Sequence, residues 1–240
     1  YGDWSSDVCS SDLVAVEGWA AVSQLAALDI ARRFEDAGVA AVIYTDISRD
    51  GMLGGPNIPA LKEVVEYSSF PVIASGGITR VEDLQAVQSL GPTVAATITA
   101  HHLDLIVDDW AGRNHNYCKP VAKYPADRAA LQAVVCAGNP RFFLGSDSAP
   151  HPRGAKECAS ACAGVFTSPL LLAYLADTFE RLECLHRLGD FAGRFGAAFY
   201  GLPPSTATVE LRRAPQPVPA VYGPVVPYRA GATLNWTLCP

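Results

Sequence analysis

Long apolar runs are missing from this 240-residue chain, although 50% of its residues are hydrophobic and its mean hydropathy is +0.16. No run approaches the ~18–20 residues that a membrane span needs, and residues 1–13 lack the basic start and apolar stretch of a signal peptide. Charged residues make up only 18% of the chain, which excludes general disorder. We therefore expect a folded, soluble protein of the cytoplasm, with no membrane partner.

Positive charge is also scarce, because 18 Lys and Arg face 24 Asp and Glu and the net charge is −6. This balance gives no basic patch for nucleic acid, which we exclude as a partner. The seven cysteines are an odd number without repeating spacing, in a chain too large to need disulfide bonds. We expect them to be reduced thiols.

Histidine is absent from residues 1–91, which hold 5 Lys and Arg against 13 Asp and Glu. All 5 histidines and 15 of the 18 prolines lie in residues 92–240. This change of composition predicts a boundary near Gly91-Pro92. Residues 1–13 are rich in Ser and Asp without a helix or strand period, and we expect them to be poorly ordered.

Strand and helix patterns alternate along the chain, as is typical of a parallel α/β sheet. Short apolar runs predict buried strands at residues 39–45, 71–75, 93–99 and 141–146, with residues 14–16 as a candidate fifth. Helical patterns cover residues 23–37, 57–67, 79–89, 125–137 and 168–182. A closed (β/α)8 barrel needs eight strands, so the pattern predicts an open sheet. The proline-rich tail from about residue 214 predicts an irregular segment.

The loop that follows the strand at residues 39–45 contains Asp50 directly before Gly51. A carboxylate beyond the C-terminal end of a parallel strand can act as a general acid or base. From spacing alone, a polar turn that Asp50 favours is the stronger alternative. Gly76 and Gly77 lie between a strand and a helix, where backbone N–H groups can bind a phosphate, although many strand-to-helix turns have this pattern.

Asp147 follows the strand at residues 141–146, and His151 comes four residues later. A strand-end carboxylate can ligate a divalent metal and accept a proton from metal-bound water. His151 can then hold a substrate carboxylate across the turn. A turn in which Asp147 caps Ala149-Pro150 is an equally weighted alternative.

Other candidate metal ligands have weaker patterns. His101 and His102 follow a strand, but adjacent side chains on an extended chain point in opposite directions. Solvent-facing or loop-packing histidines are therefore favoured over a metal pair. Cys158 and Cys162 lack a second pair of ligands, so buried thiols are favoured over half of a metal site.

Three segments of the first part of the chain form a specific pattern: VAVEGW (14–19), ARRFEDAGVAAVIYTDISRDGMLGGPN (31–57) and FPVIASGGI (70–78). On these segments the first part resembles the ribotide isomerase of histidine biosynthesis, which opens and rearranges an aminoaldose phosphate. The resemblance covers about residues 14–91 and implies the fifth to seventh strands of a barrel. It also implies that Asp50 is the catalytic acid, that Thr45 positions the substrate, and that Gly76 and Gly77 bind a ribotide phosphate. The family's other catalytic aspartate and its second phosphate-binding turn have no counterpart.

The second part, about residues 92–239, contains the segments TVAATITAHHL, YCKPVAK, GNPRFFLGSDSAPH, AKECASACAGVF, FYGLP and VPYRAGATLNWT. In these segments and their order it looks like the C-terminal part of dihydroorotase. This amidohydrolase of pyrimidine biosynthesis uses zinc to interconvert carbamoyl aspartate and dihydroorotate. The resemblance implies that Asp147 is a metal ligand and general base and that His151 contacts the dihydroorotate carboxylate. It further implies substrate contacts from the backbones of Lys119 and Ala163.

The two resemblances predict a chimera of two partial TIM barrels joined near Gly91-Pro92. The zinc enzyme's His-x-His pair, carboxylated lysine and two further histidine ligands belong upstream of the matching region, and a single carboxylate cannot hold a binuclear zinc site. We therefore expect a dihydroorotase-like chain that is incomplete and inactive by itself. The alternatives are a ribotide isomerase fragment and a non-catalytic fusion. Uncovered strands also predict self-association.

Overall fold

The computed structural model describes residues 7–8, 13–16, 21–34, 37, 39, 41–46, 55–75, 81–91 and 93–239. The chain divides into two compact units: Tyr1–Thr97 with Ala197–Leu202, and Ile98–Gly196 with Pro203–Pro240. No helix in the described part of the chain is long and apolar enough to cross a membrane.

The first unit contains an antiparallel and a parallel group of strands. The antiparallel strands, in order across their sheet, are β1 (Asp7–Val8), β2 (Leu13–Val16) and β3 (Ala21–Ala26). The parallel strands are β4 (Val42–Thr45), β5 (Val72–Ser75) and β6 (Val94–Ile98), and the helices are α1 (Ala27–Arg33), α2 (Ile58–Tyr67) and α3 (Val81–Ser89).

Local signals explain the start of α2. The Asn57 side chain accepts a hydrogen bond from the backbone N–H of Ala60 at 3.3 Å, which satisfies one of the free donors of the first turn. The helix then buries Leu61 and Val64 against the apolar side chains of β5, among them Val72. The predicted helix start at residue 57 is therefore confirmed.

One expectation for the first unit is wrong. Residues 23–26 belong to β3 rather than to the first helix, which begins at Ala27. Residues 14–16 form a strand as predicted, within β2, but β2 pairs antiparallel with β3 and does not extend the parallel group. The backbone pairing of β2 with β3 replaces the helix that local periodicity favoured at residues 23–26.

After β6 the chain continues through helices and short strands. They are α4 (Val107–Trp110), α5 (Pro125–Ala137), β7 (Phe142–Leu144), α6 (Arg153–Lys156), α7 (Leu171–Arg181), α8 (Phe195–Phe199), β8 (Leu211–Pro217) and β9 (Thr233–Leu238). Ile98 ends β6 and begins the second unit, where its carbonyl oxygen accepts a hydrogen bond from the N–H of Gly145, directly after β7. Gly138 ends α5 with φ +69°, as its position after the helical pattern predicts.

The apolar face of α7 forms much of the core of the second unit. Tyr174, Leu175 and Phe179 are buried, and α7 packs against β9. The tail is not irregular throughout, because β8 and β9 pair antiparallel and Leu234 of β9 is fully buried. Burial of this apolar residue against α7 explains why the strands form despite the prolines.

One cysteine pair also departs from expectation. Cys136 at the end of α5 and Cys184 after α7 form a disulfide with a Cα–Cα distance of 5.4 Å. The fold brings these two positions within bridging range, which spacing in the sequence could not reveal. The class itself is as predicted: parallel strands alternate with helices, and no closed barrel forms among the described residues.

Candidate active site

Asp147 lies three residues beyond the end of β7 and has an exposed side chain. Its φ is 40°, in the left-handed region that residues other than glycine rarely adopt. Its Oδ2 atom lies 4.0 Å from Nε2 of His101. The C-terminal end of a parallel strand therefore presents a carboxylate to solvent beside a buried imidazole.

His151 is held close to Gly164 at the end of the same loop. A Cβ atom at Gly164 would lie 3.1 Å from Cδ2 and 3.2 Å from Nε2 of His151, and only 2.4 Å from Cβ of Ala149. Gly164 also has φ +135°, which favours glycine. The Ala149 N–H donates to Val165 at 3.1 Å, so the two loops run side by side and fix the position of His151.

Lys156 is 2% exposed and connects two loops that carry predicted substrate contacts. Its Nζ atom donates to the carbonyl oxygens of Tyr117 at 3.0 Å, Cys162 at 2.9 Å and Gly164 at 2.7 Å. Burial lowers the pKa of this ammonium. Because these carbonyls flank or lie near the backbones of Lys119 and Ala163, one buried cation holds both segments.

His101 and His102 occupy a turn after β6 rather than an extended segment. The N–H of Leu105 donates to the carbonyl of His101 at 2.8 Å, and the two ring centroids are 4.7 Å apart. The expectation that the rings point in opposite directions is wrong, because a turn brings adjacent side chains onto one side. His101 is fully buried, not solvent-facing.

Burial sets the protonation of this region. It lowers the pKa of His101 well below 6.5, and the nearby charges of His102 and Lys156 lower it further. Burial likewise lowers the pKa of His102, against a hydrogen bond with Pro120 that raises it. Desolvation raises the pKa of the buried Cys118 thiol to about 11. The two imidazoles and the thiol are neutral at neutral pH.

The remaining predicted residues are placed as follows. Cys158 is exposed and Cys162 half-buried, so the expectation of buried thiols is wrong for Cys158. Thr45 is buried at the end of β4 in the first unit, opposite Ser75 in the parallel register. Asp50, Gly76 and Gly77 lie outside the described residues.

The second unit thus brings together Asp147, His151, Ala163 and the backbone near Lys119. Sequence reasoning missed Lys156, although it lies within a quoted segment, because lysine is almost never fully buried and its partners are distant in the sequence. It also missed how His101, His102 and Cys118 meet, since the turn that orients the rings carries no strong local signal.

Comparisons with known proteins give matches to two families. Residues 4–103 match the family described as "Histidine biosynthesis protein". Curated relatives include a dihydroorotase of Halorhodospira halophila (strain DSM 244 / SL1), 47% identical over 189 residues, and one of Azoarcus sp. (strain BH72), 44% identical over 188 residues. Each alignment covers 75% of this chain, and 51% and 52% of the two relatives.

A solved structure supports the same likeness. The crystal structure of the Saccharomyces cerevisiae dihydroorotase in complex with 5-fluoroorotic acid matches with a TM-score of 0.75 and 29% identity, over 88% of this chain and 66% of that chain. The alignment with the Halorhodospira halophila dihydroorotase covers 75% of the 240 residues, which is more than the residues outside 4–103. It therefore overlaps the match to the histidine biosynthesis family. Over three quarters of its length the chain is therefore similar to dihydroorotases, and it spans about half the length of these curated relatives.

Proposed function

We propose that the second unit is the substrate-binding part of a dihydroorotase-like amidohydrolase. The observation that carries the proposal is the arrangement that Lys156 and Gly164 stabilise around His151 and Ala163. Rigid positioning of this kind is what a small-molecule site requires. The similarity to dihydroorotases supports the substrate class, dihydroorotate or carbamoyl aspartate.

Each residue has a separate role in the proposed site. The imidazole of His151 donates to the substrate carboxylate, and the backbones of Lys119 and Ala163 orient the rest of the molecule. The exposed carboxylate of Asp147 accepts a proton. Its position beyond a parallel strand is where barrel enzymes hold catalytic groups.

The metal-ligating side chains of this chain do not fit the binuclear zinc centre that the resemblance implies. Asp147 is the only ligand with a counterpart, and residues 1–91 contain no histidine. Catalytic zinc usually takes three protein ligands, so the proposed chemistry stops at substrate binding and proton acceptance. We therefore propose that the chain binds its substrate without turning it over.

Calorimetric titration with dihydroorotate tests the binding step. We expect saturable binding that His151→Ala weakens at least tenfold, because the carboxylate loses its charged or polar partner. His186→Ala, which removes an exposed histidine outside the site, is the matched control. No binding by the folded wild-type chain would refute the proposed substrate class.

An activity assay tests the incompleteness of the site. With zinc added, interconversion of carbamoyl aspartate and dihydroorotate should be indistinguishable between the wild-type chain and Asp147→Asn. Zinc-dependent turnover that is lost in Asp147→Asn would instead show a working catalytic centre and contradict the proposal.

A second candidate function has one specific observation in its favour. Residues 4–103 match the histidine biosynthesis family, and Thr45 lies opposite Ser75 at the ends of two parallel strands. We infer that this part is a remnant of a ribotide isomerase site, in which Asp50 acts on the substrate and Gly76 and Gly77 bind phosphate. Titration with inorganic phosphate checks this, and binding that Gly77→Pro leaves unchanged would count against it.

A further inference from the structure

Three metal-binding side chains meet in the second unit apart from the proposed substrate contacts. His101, His102 and Cys118, called the His-Cys cluster below, each offer one ligand atom, and these atoms lie within 4.8 Å of one another. Sγ of Cys118 is 3.7 Å from Nε2 of His102. A tetrahedral zinc ion with ordinary Zn–S and Zn–N bonds separates sulfur and nitrogen ligands by about 3.6 Å. The cluster therefore already has nearly the spacing of a zinc site.

A second, independent observation comes from His101. The ring is fully buried, and within the described part of the chain neither Nδ1 nor Nε2 has a hydrogen-bond partner. Buried polar atoms in native proteins are nearly always satisfied, so an imidazole without partners calls for an explanation. A bound cation would give the His101 ring the partner that it lacks.

The surrounding hydrogen bonds orient the other two ligands. Nδ1 of His102 is 2.7 Å from Oγ1 of Thr99, which fixes the ring from the side opposite Cys118. The carbonyl of Tyr117, directly before Cys118, is held by Lys156. Nε2 of His102 also lies 2.7 Å from the carbonyl of Pro120. The Cys118 thiol donates to the same carbonyl at 3.4 Å. Metal binding replaces these two contacts with Pro120 and leaves the contact with Thr99 in place.

We propose that the His-Cys cluster binds one soft divalent cation, zinc in the first instance, through two imidazole nitrogens and the Cys118 thiolate. On binding, the thiol proton is released to the solvent and the sulfur forms a bond with the metal. Mixed imidazole and thiolate donors select zinc over magnesium or calcium, which prefer oxygen ligands. These three ligands differ from those of the zinc centre implied by the resemblance, in which Asp147 is a ligand, and Oδ2 of Asp147 lies 4.0 Å from Nε2 of His101.

Titration of the full-length, metal-free chain with cobalt(II) tests the proposal, since cobalt substitutes for zinc and reports its ligands by absorption. We expect one equivalent to give the intense visible bands of tetrahedral cobalt and a near-ultraviolet thiolate band, both removed by added zinc. Cys118→Ser should abolish the near-ultraviolet band, and His101→Gln should weaken binding at least tenfold. Asp147→Asn should keep the band.

A variant in which Cys118 is the single free thiol provides a second test. Its outcome does not require that Cys118→Ser folds correctly. Serine at Cys9, Cys158, Cys162 and Cys239 leaves Cys118 as the only cysteine outside the disulfide. Circular dichroism establishes that this variant is folded, and its thiolate band should then persist. Loss of the band here, its absence from the wild-type chain, or its loss in Asp147→Asn but not in Cys118→Ser would each overturn the proposal.

Discussion

Lys156 shows how one side chain can organise a site without being part of its chemistry. Its buried ammonium group donates to three carbonyl oxygens from two loops. Hydrogen bonds to a charged donor are stronger than neutral ones, and the bond to Gly164 is buried. Together with the hydrogen bond from the N–H of Gly164 to the carbonyl of Tyr117 at 2.9 Å, this cation joins the two loops.

Replacement of the lysine should therefore be costly. We expect Lys156→Met to lower the free energy of unfolding by about 2–4 kcal/mol, because it removes the charged donor that three carbonyl groups share, one of them in the buried bond to Gly164. Denaturant unfolding followed by circular dichroism measures the effect. Lys119→Met, at an exposed lysine nearby, should change stability by no more than about 0.5 kcal/mol. A similar loss in the two variants would mean that the buried hydrogen bonds contribute little.

The neutral, buried His101 and His102 predict a pH dependence of stability. Both folded-state pKa values are lowered from 6.5, while the unfolded chain protonates near that value. Below about pH 6.5 the unfolded state therefore binds more protons than the folded state does. Stability is therefore full above this pH and falls as the pH drops towards the folded-state values.

Unfolding experiments in a chelator between pH 8 and pH 5 check this sign. Below pH 6.5 the free energy of unfolding should fall less steeply with decreasing pH in His101→Gln. This variant lacks one of the two imidazoles whose pKa is lowered by folding. His186→Ala, at an exposed ring, should keep the wild-type slope. Stability that rises as the pH falls from 6.5 would contradict the assignment.

At the scale of elements, the second unit is held by contacts between segments far apart in the chain. The disulfide joins the end of α5 to the segment after α7 across 48 residues. The side chain of Asp177 on α7 accepts a hydrogen bond from the N–H of Asn235 on β9 at 2.8 Å. These contacts join the segment after α7 to α5, and α7 itself to β9.

Removal of the disulfide should destabilise the second unit. In the chain-entropy account, a crosslink that closes a loop of this length contributes about 4 kcal/mol. The double variant Cys136→Ser and Cys184→Ser should therefore unfold at a clearly lower denaturant concentration. Cys158→Ser, at an exposed thiol, is the control. If the double variant and the wild-type chain unfold at the same midpoint denaturant concentration, the crosslink does not restrict the unfolded state.

At the scale of the whole molecule, the two resemblances meet in one set of strands. β6 follows the predicted joint at Gly91-Pro92, and it pairs in parallel with β5, which precedes the joint. Val72 lies opposite Val94 in this register. Both strands are apolar and buried. The strand on one side of the joint therefore pairs and packs with the strand on the other side, as in an ordinary buried parallel sheet.

We expect the chain to self-associate. Ile43 is 50% exposed on β4, which is the first strand in the order of its sheet among the described residues. An exposed apolar side chain on an edge strand favours pairing with another chain. Sedimentation velocity should show a weight-average mass that rises with concentration, and Ile43→Lys should reduce the rise. Tyr67→Lys changes an exposed apolar residue at the end of α2 and should not. A compact monomer at every concentration would defeat this prediction.

Features that depend on neighbouring residues could be predicted from the amino-acid sequence. The cap at Asn57, the end of α5 at Gly138 and the position of Asp147 beyond β7 follow from hydrogen bonds and backbone preferences within a few residues. The burial of Lys156, whose Nζ bonds Tyr117 across 39 residues, became visible only in the folded chain. The same is true of the disulfide, of the pairing of β8 with β9, and of the contact of Cys118 with the two histidines. Each of these contacts joins segments whose separation in space is set by packing of the whole unit, and local periodicity carries no information about that separation.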